Sequence, residues 1–125
     1  MNIPDNLKYT KEHEWLKVDN GMAYIGITDF AQGELGDIVF VELPNESESF
    51  SQNDIFGTIE AVKTLADLYI PVSGEILEVN SKLDSEPELI NSDPYGEGWI
   101  VRIQISDNSE IESLLSKQDY EGLIS

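Results

Sequence analysis

The stretch Gly57-Thr58-Ile59-Glu60-Ala61-Val62-Lys63-Thr64-Leu65-Ala66-Asp67-Leu68-Tyr69-Ile70-Pro71-Val72-Ser73-Gly74 reads as two strands folded about a lysine. Side chains alternate with a period of two along a strand, so Ile55, Gly57, Ile59 and Ala61 fall on one face of the first. Leu68, Ile70 and Val72 do the same in the second, and Val62-Lys63-Thr64 sit at the turn. Pro71 to Gly74 makes another tight turn, where Gly74 is expected to supply a positive φ, and Glu75 to Val79 follows as a strand. Lys63 thus stands at an apex, one of seven basic residues, with Glu60 and Asp67 flanking it. Such a placement fits an ordinary exposed turn lysine. It also fits an attachment lysine, which a modifying enzyme must reach and the strands beneath must hold rigidly.

The texture on either side is the same. Asp19-Asn20-Gly21 is a hairpin turn leading into a strand from Met22 to Ile27, and Ile38 to Leu43 is another, ended by Pro44-Asn45. Between them Thr28 or Asp29 caps a short helix through Leu35, with Gly36 as its stop. Ser47 to Asn53 reads as a polar loop, and Leu83 to Gly98, with two prolines and two late glycines, as a long irregular connection. Trp99 to Ile105 alternates as a last strand. Asp107 or Ser109 then caps a helix carrying Ile111, Leu114 and Leu115, and a second helical piece runs from Gln118 to Ile124. About seven short strands with helical pieces at the ends predict a mostly-β sandwich or barrel, in a single domain over residues 1–125.

Composition limits the function. Twenty-five acidic against seven basic residues give a net charge of −18, which argues against nucleic acid and anionic membranes as partners. It suits steering toward electropositive proteins, or solubility alone. There is no cysteine, so thiol nucleophiles, disulfides and Cys-ligated zinc are excluded, and any redox sulfur must arrive on a cofactor. His13 is the only histidine and reads as a packing or hydrogen-bonding residue; no metal site is expected. Glu46 with Glu48, and Glu86 with Glu88, lack calcium-loop spacing and read as solvated loop acids. Trp15 and Trp99 read as core or rim anchors. Met1 to Asn6 has neither a basic region nor an apolar core, so a signal peptide is not expected.

Beyond periodicity, the residues Glu60-Ala61-Val62-Lys63, then Asp67 and Pro71-Val72-Ser73-Gly74, resemble the lipoylation hairpin of glycine cleavage H proteins. The family usually has Ser where Ala61 stands. The resemblance extends through Lys11-Glu12-His13-Glu14-Trp15, Ile25 to Gln32, Leu35 to Val39, Val41-Glu42-Leu43-Pro44, Leu89-Ile90-Asn91 and Asp93 to Trp99, in order along nearly the whole chain. It implies a flattened β-barrel, the barrel-sandwich hybrid, with its hairpin at about 55–74 and a C-terminal helical segment at about 107–125. Lipoic acid would be in amide linkage on Lys63, supported by Glu60, Val62, Asp67 and Gly74. The implied role is a carrier and not an enzyme. A pyridoxal-phosphate glycine decarboxylase loads an aminomethyl group, a tetrahydrofolate-dependent aminomethyltransferase unloads it, and dihydrolipoamide dehydrogenase reoxidises the arm.

A lipoate-attaching enzyme is a further implied partner, and a cytoplasmic monomer is expected, or a mitochondrial-matrix one if a transit peptide has been removed. The loaded amine is cationic when protonated, so Glu14 and Asp67, with Glu12 and Glu34 behind them, are candidates to shelter it. Two neighbouring readings stay open. An H-like protein that relays lipoate to other enzymes would carry the same hairpin. A lipoyl or biotinyl domain of another multienzyme complex would be shorter, with flexible Pro/Ala-rich linkers absent here, and biotin would favour Met on both sides of the lysine, where Val62 and Thr64 stand.

Overall fold

Asn20 and Gly21 both adopt positive φ, 52° and 78°, and join β2 (Glu14–Asp19) to β3 (Met22–Ile27) as the two-residue hairpin that Asn-Gly encodes. The computed structural model describes residues 2–125. From this hairpin a six-stranded antiparallel sheet extends in the order β1-β2-β3-β9-β8-β5, with β1 at Lys8–Tyr9, β5 at Ser49–Phe50, β8 at Gly74–Val79 and β9 at Val101–Ile105. A second antiparallel sheet has three strands in the order β4-β6-β7: Ile38–Glu42, Ile55–Ala61 and Leu65–Tyr69. The two sheets do not close into one ladder. They share a core, in which Leu16, Ile25, Val101 and Ile103 from the larger sheet meet Ile38, Val41, Ile59 and Leu68 from the smaller. The fold is mostly β, as the alternation predicts, in the form of a flattened sandwich.

Where the sequence reading and the structure part, a local cause is visible. Ile55 was expected to face inward with Ile59; it is half exposed, and Phe56 is buried in its place. The ladder between β6 and β7 slips there, Ile55 opposing Tyr69 and Gly57 opposing Leu68, and this bulge exchanges the faces of the strand's first residue and its second. Gly74 does not take a positive φ. It is buried, and a Cβ at this position would lie 2.5 Å from the Gln104 carbonyl oxygen of β9, so a close approach of two backbones requires the glycine. Within the Ser47–Asn53 loop, Ser49–Phe50 pairs with Glu75 and Gly74. The 83–98 connection holds 3₁₀ turns at Ser81–Asp84 and one turn of helix, α2, at Leu89–Ser92.

The helical ends follow their caps. Thr28 caps α1 (Asp29–Leu35), its hydroxyl accepting from Ala31 N at 3.1 Å, and Gly36 stops it at φ 78°. Asp107 caps a 3₁₀ segment, Asn108–Ser113, and not an α-helix. The chain then extends so that Leu115 exchanges two backbone hydrogen bonds with Tyr9, before Ser116 caps α3 (Lys117–Ile124). Tyr120 of α3 packs with Leu7, Tyr9 and Trp15 in a second apolar cluster.

Candidate functional site at the hairpin tip

The chain reverses between β6 and β7 within residues 61–64, Ala61 N donating to Thr64 O at 2.8 Å. Buried Ala61 faces Ile38, so the methyl standing where a family serine would be is part of the packing below the turn. Val62 and Lys63 project outward, Val62 at 74% exposure. Among the described residues Lys63 makes no salt bridge; the two ion pairs present are Lys82 with Glu97 and Arg102 with Glu78. The tip is braced from the side, because Val62 N donates to Asp37 O at 3.0 Å. Asn91 secures that brace in turn: its side chain accepts from Ile38 N at 2.9 Å and donates to Gly36 O at 2.8 Å.

Gly36 does more than end α1. The stem of Lys63 runs across it, so closely that a Cβ on residue 36 would lie 3.3 Å from Lys63 Cε. Leu35, the residue before Gly36, lines a cleft of about 320 Å³ between α1, the turn before β2, and strands β6 and β7. Ile27, Ala31, Leu35, Ile59 and Leu68 give it apolar walls, and Glu12, Glu14, Glu34 and Asp67 bring four acids to it. All four acids singled out in the sequence as shelter candidates therefore meet in one cleft. Glu60 does not: it stands exposed on the outer face of the small sheet, opposite Phe40 and Leu65.

The four acids differ in kind. Glu12, Glu34 and Asp67 are exposed at the rim, whereas Glu14 is 1% exposed. Glu14 accepts from the Thr10 hydroxyl at 2.6 Å and from Tyr69 N at 3.3 Å. Burial outweighs these two donors and raises its pKa to about 8. A carboxylate was the sequence expectation; at neutral pH the buried group keeps its proton. His13 also lines the cleft, at φ 71°, with its ring 4.9 Å from that of Phe30. Burial pulls its pKa below the ordinary histidine value against the pull of Glu12 and Glu34.

Comparison with known proteins gives this geometry a family. The profile of the glycine cleavage H-protein family matches residues 7–125. The chain belongs to that family. A glycine cleavage system H protein of Bacteroides thetaiotaomicron is 52% identical over 124 residues, covering 99% of this chain and 98% of the relative. One of Halothermothrix orenii is 53% identical over 120 residues, covering 96% and 94%. A solved glycine cleavage system H protein from Mycobacterium marinum superposes with a TM-score of 0.89 at 38% identity, over 96% of this chain and 97% of that one. H proteins carry lipoate covalently on a lysine and serve glycine cleavage as carriers, not catalysts, and this chain is such a carrier. The residues at hand suit that group: a free amine at a rigid tip, and beside its stem a cleft with apolar walls.

Asn91 and the buried state of Glu14 were not legible as functional from spacing. Asn91 appears in the sequence only as part of a family segment, since its partners lie more than 50 residues away.

Proposed function

We propose that Lys63 is the lipoyl attachment residue and that the cleft beyond Gly36 receives the arm. The observation that carries this reading is an exposed lysine without an ion pair at a braced turn, its stem packed on Gly36, the residue after Leu35 of a cleft holding four acids. When bound, the lipoyl group supplies a dithiolane that opens, accepts a one-carbon amine cargo on sulfur and closes again on oxidation. The chain's own residues do the rest. Lys63 Nζ supplies the amide nitrogen, and the 61–64 turn with its Asp37 and Asn91 braces fixes where the arm begins. Ile27, Ala31, Leu35, Ile59 and Leu68 keep water from the arm's hydrocarbon.

Glu14 acts on the cargo's charge. An incoming ammonium beside the buried carboxyl favours the ionised form, so Glu14 gives up its proton and pairs with the cation. Asp67, Glu12 and Glu34 at the rim add to the same field. An amine kept protonated has no lone pair with which to assist its own release. Glycine decarboxylase, the tetrahydrofolate-dependent aminomethyltransferase, dihydrolipoamide dehydrogenase and a lipoate-attaching enzyme are the partners this cycle needs. We place the protein in the cytoplasm as a monomer acting through one carrier domain.

Intact mass and peptide mapping, after expression with lipoate and a competent ligase, test the attachment. One lipoyl increment is expected on the peptide holding Lys63 and none on Lys63→Ala. Lipoate on Lys17 or Lys82, or none at all, overturns the assignment. For the cleft, the cargo is loaded, the decarboxylase removed, and release of ammonia and formaldehyde followed. Glu14→Gln with Asp67→Asn should speed that release well beyond any change in loading or reoxidation; equal decay rates would return both acids to the ordinary surface.

A further inference from the structure

Tyr120 is fully buried, its ring stacked on Tyr9 with centroids 4.8 Å apart and planes 10° apart. Its hydroxyl lies 2.7 Å from Thr28 Oγ1 and 2.9 Å from His13 Nδ1. Two walls of the cleft, the turn before β2 and the start of α1, therefore meet at one oxygen from the C-terminal helix. Thr28 Oγ1 already accepts from Ala31 N, and Thr28 is 0% exposed, so its own hydrogen needs a buried acceptor. Among the described residues that acceptor is Tyr120 Oη. The tyrosine hydrogen then goes to His13 Nδ1, and the imidazole keeps its single proton on Nε2. The opposite direction would require Nδ1–H and would strand the threonine hydrogen without a partner.

We propose that Tyr120 is a positioning residue: through the chain from Thr28 it fixes His13 on the cleft wall as the neutral Nε2–H tautomer, so that the wall meeting a cationic cargo carries acids and no competing cation. The backbone holds the ring in place, since His13 N donates to Thr10 O at 3.1 Å and His13 O accepts from Thr28 N at 3.0 Å. Around the imidazole stand Glu12 from its own turn, Glu34 and Phe30 from α1, and Tyr120 from α3, with Glu14 and Asp67 also lining the cleft. Two nearby acids favour the imidazolium. A hydroxyl donating to Nδ1 favours the neutral ring, as burial does. The role toward the cargo rests on the cleft reading above; the tautomer does not.

His13 is the chain's only histidine, so ¹⁵N-histidine labelling of the full-length lipoylated protein yields one pair of ring nitrogens. A pyrrole-like Nε2 and a pyridine-like Nδ1 are expected at neutral pH and above. Tyr120→Phe keeps the stack on Tyr9, loses the donor, and should give a tautomer mixture with imidazolium persisting to higher pH beside Glu12 and Glu34, lipoylation unchanged, and cargo release faster by about threefold or more. Thr28→Ser, which keeps both hydroxyl and cap, should preserve the wild-type tautomer, and so should Thr28→Val, because the buried Tyr120 hydrogen then has His13 Nδ1 as its acceptor; the wild-type spectrum itself decides the matter if Tyr120→Phe folds poorly. Nδ1–H in the wild type, or the wild-type tautomer persisting undiminished in Tyr120→Phe, overturns the proposal. So does a gain of imidazolium at the assay pH with unchanged release. Failure of lipoate to attach at Lys63 overturns the attachment reading alone, because the unmodified chain reports the tautomer equally well.

Discussion

Glu14 carries its carboxyl at 1% exposure, so its proton enters the energetics of folding. The folded chain holds that proton up to about pH 8, while the unfolded chain releases it in the ordinary carboxyl range near pH 4. Between those values the folded state binds the extra proton, and stability from this site falls as pH rises through the window. Glu14→Gln removes the slope. It should match the wild type near pH 4 and be the more stable by on the order of a few kcal/mol at pH 9, as thermal melts across pH would record. Lys63 is the opposite case. Exposed and without an ion pair, it should be replaceable by Ala within about 0.5 kcal/mol, and a larger loss in the same melts would make it structural. Its position was legible because a hairpin is a local object, written in one run of residues. The state of Glu14 was not. Only the assembled cleft desolvates the carboxyl.

At the level of elements, the alternation in β3, β6, β8 and β9 was enough to place strands, since each has five or more residues over which a period can be seen. Lys8–Tyr9 and Ser49–Phe50 have two each, and two residues show no period; their pairing partners define them. The C-terminal segment failed differently. Ile111, Leu114 and Leu115 have helical spacing, yet Leu115 is drawn into a bridge with Tyr9, 106 positions earlier in the chain, and tertiary pairing overrides the local preference. The junction of β8 and β9 bears a sharper prediction. Gly74→Ala places a methyl 2.5 Å from a backbone oxygen that cannot swing aside, and should cost about 3 kcal/mol or more, read as a fall in the denaturation midpoint. Gly33→Ala, with open space around its Cβ inside α1, should instead hold or gain stability. Equal behaviour of the two would show that the strands can part at residue 74 without penalty.

Taken whole, the molecule carries −18 charges, and the acids of the cleft are a small part of them. Association with each enzyme of the cycle should slow as salt rises, with dissociation changing less, because steering acts on encounter. Stopped-flow binding across a salt series should show on-rates falling by about tenfold from low to high ionic strength; salt-independent rates would make the acidity a matter of solubility alone. The seam at Tyr120 bears on how the protein is made. The hairpin with Lys63 pairs residues that are near neighbours in the chain, whereas Tyr120 meets Thr28 and His13 across 92 and 107 positions. Contacts that close such long loops form late, and during synthesis they cannot form before α3 has left the ribosome. On the proposed attachment, the growing chain can thus meet its modifying enzyme at Lys63 before α3 has settled His13 on the cleft wall.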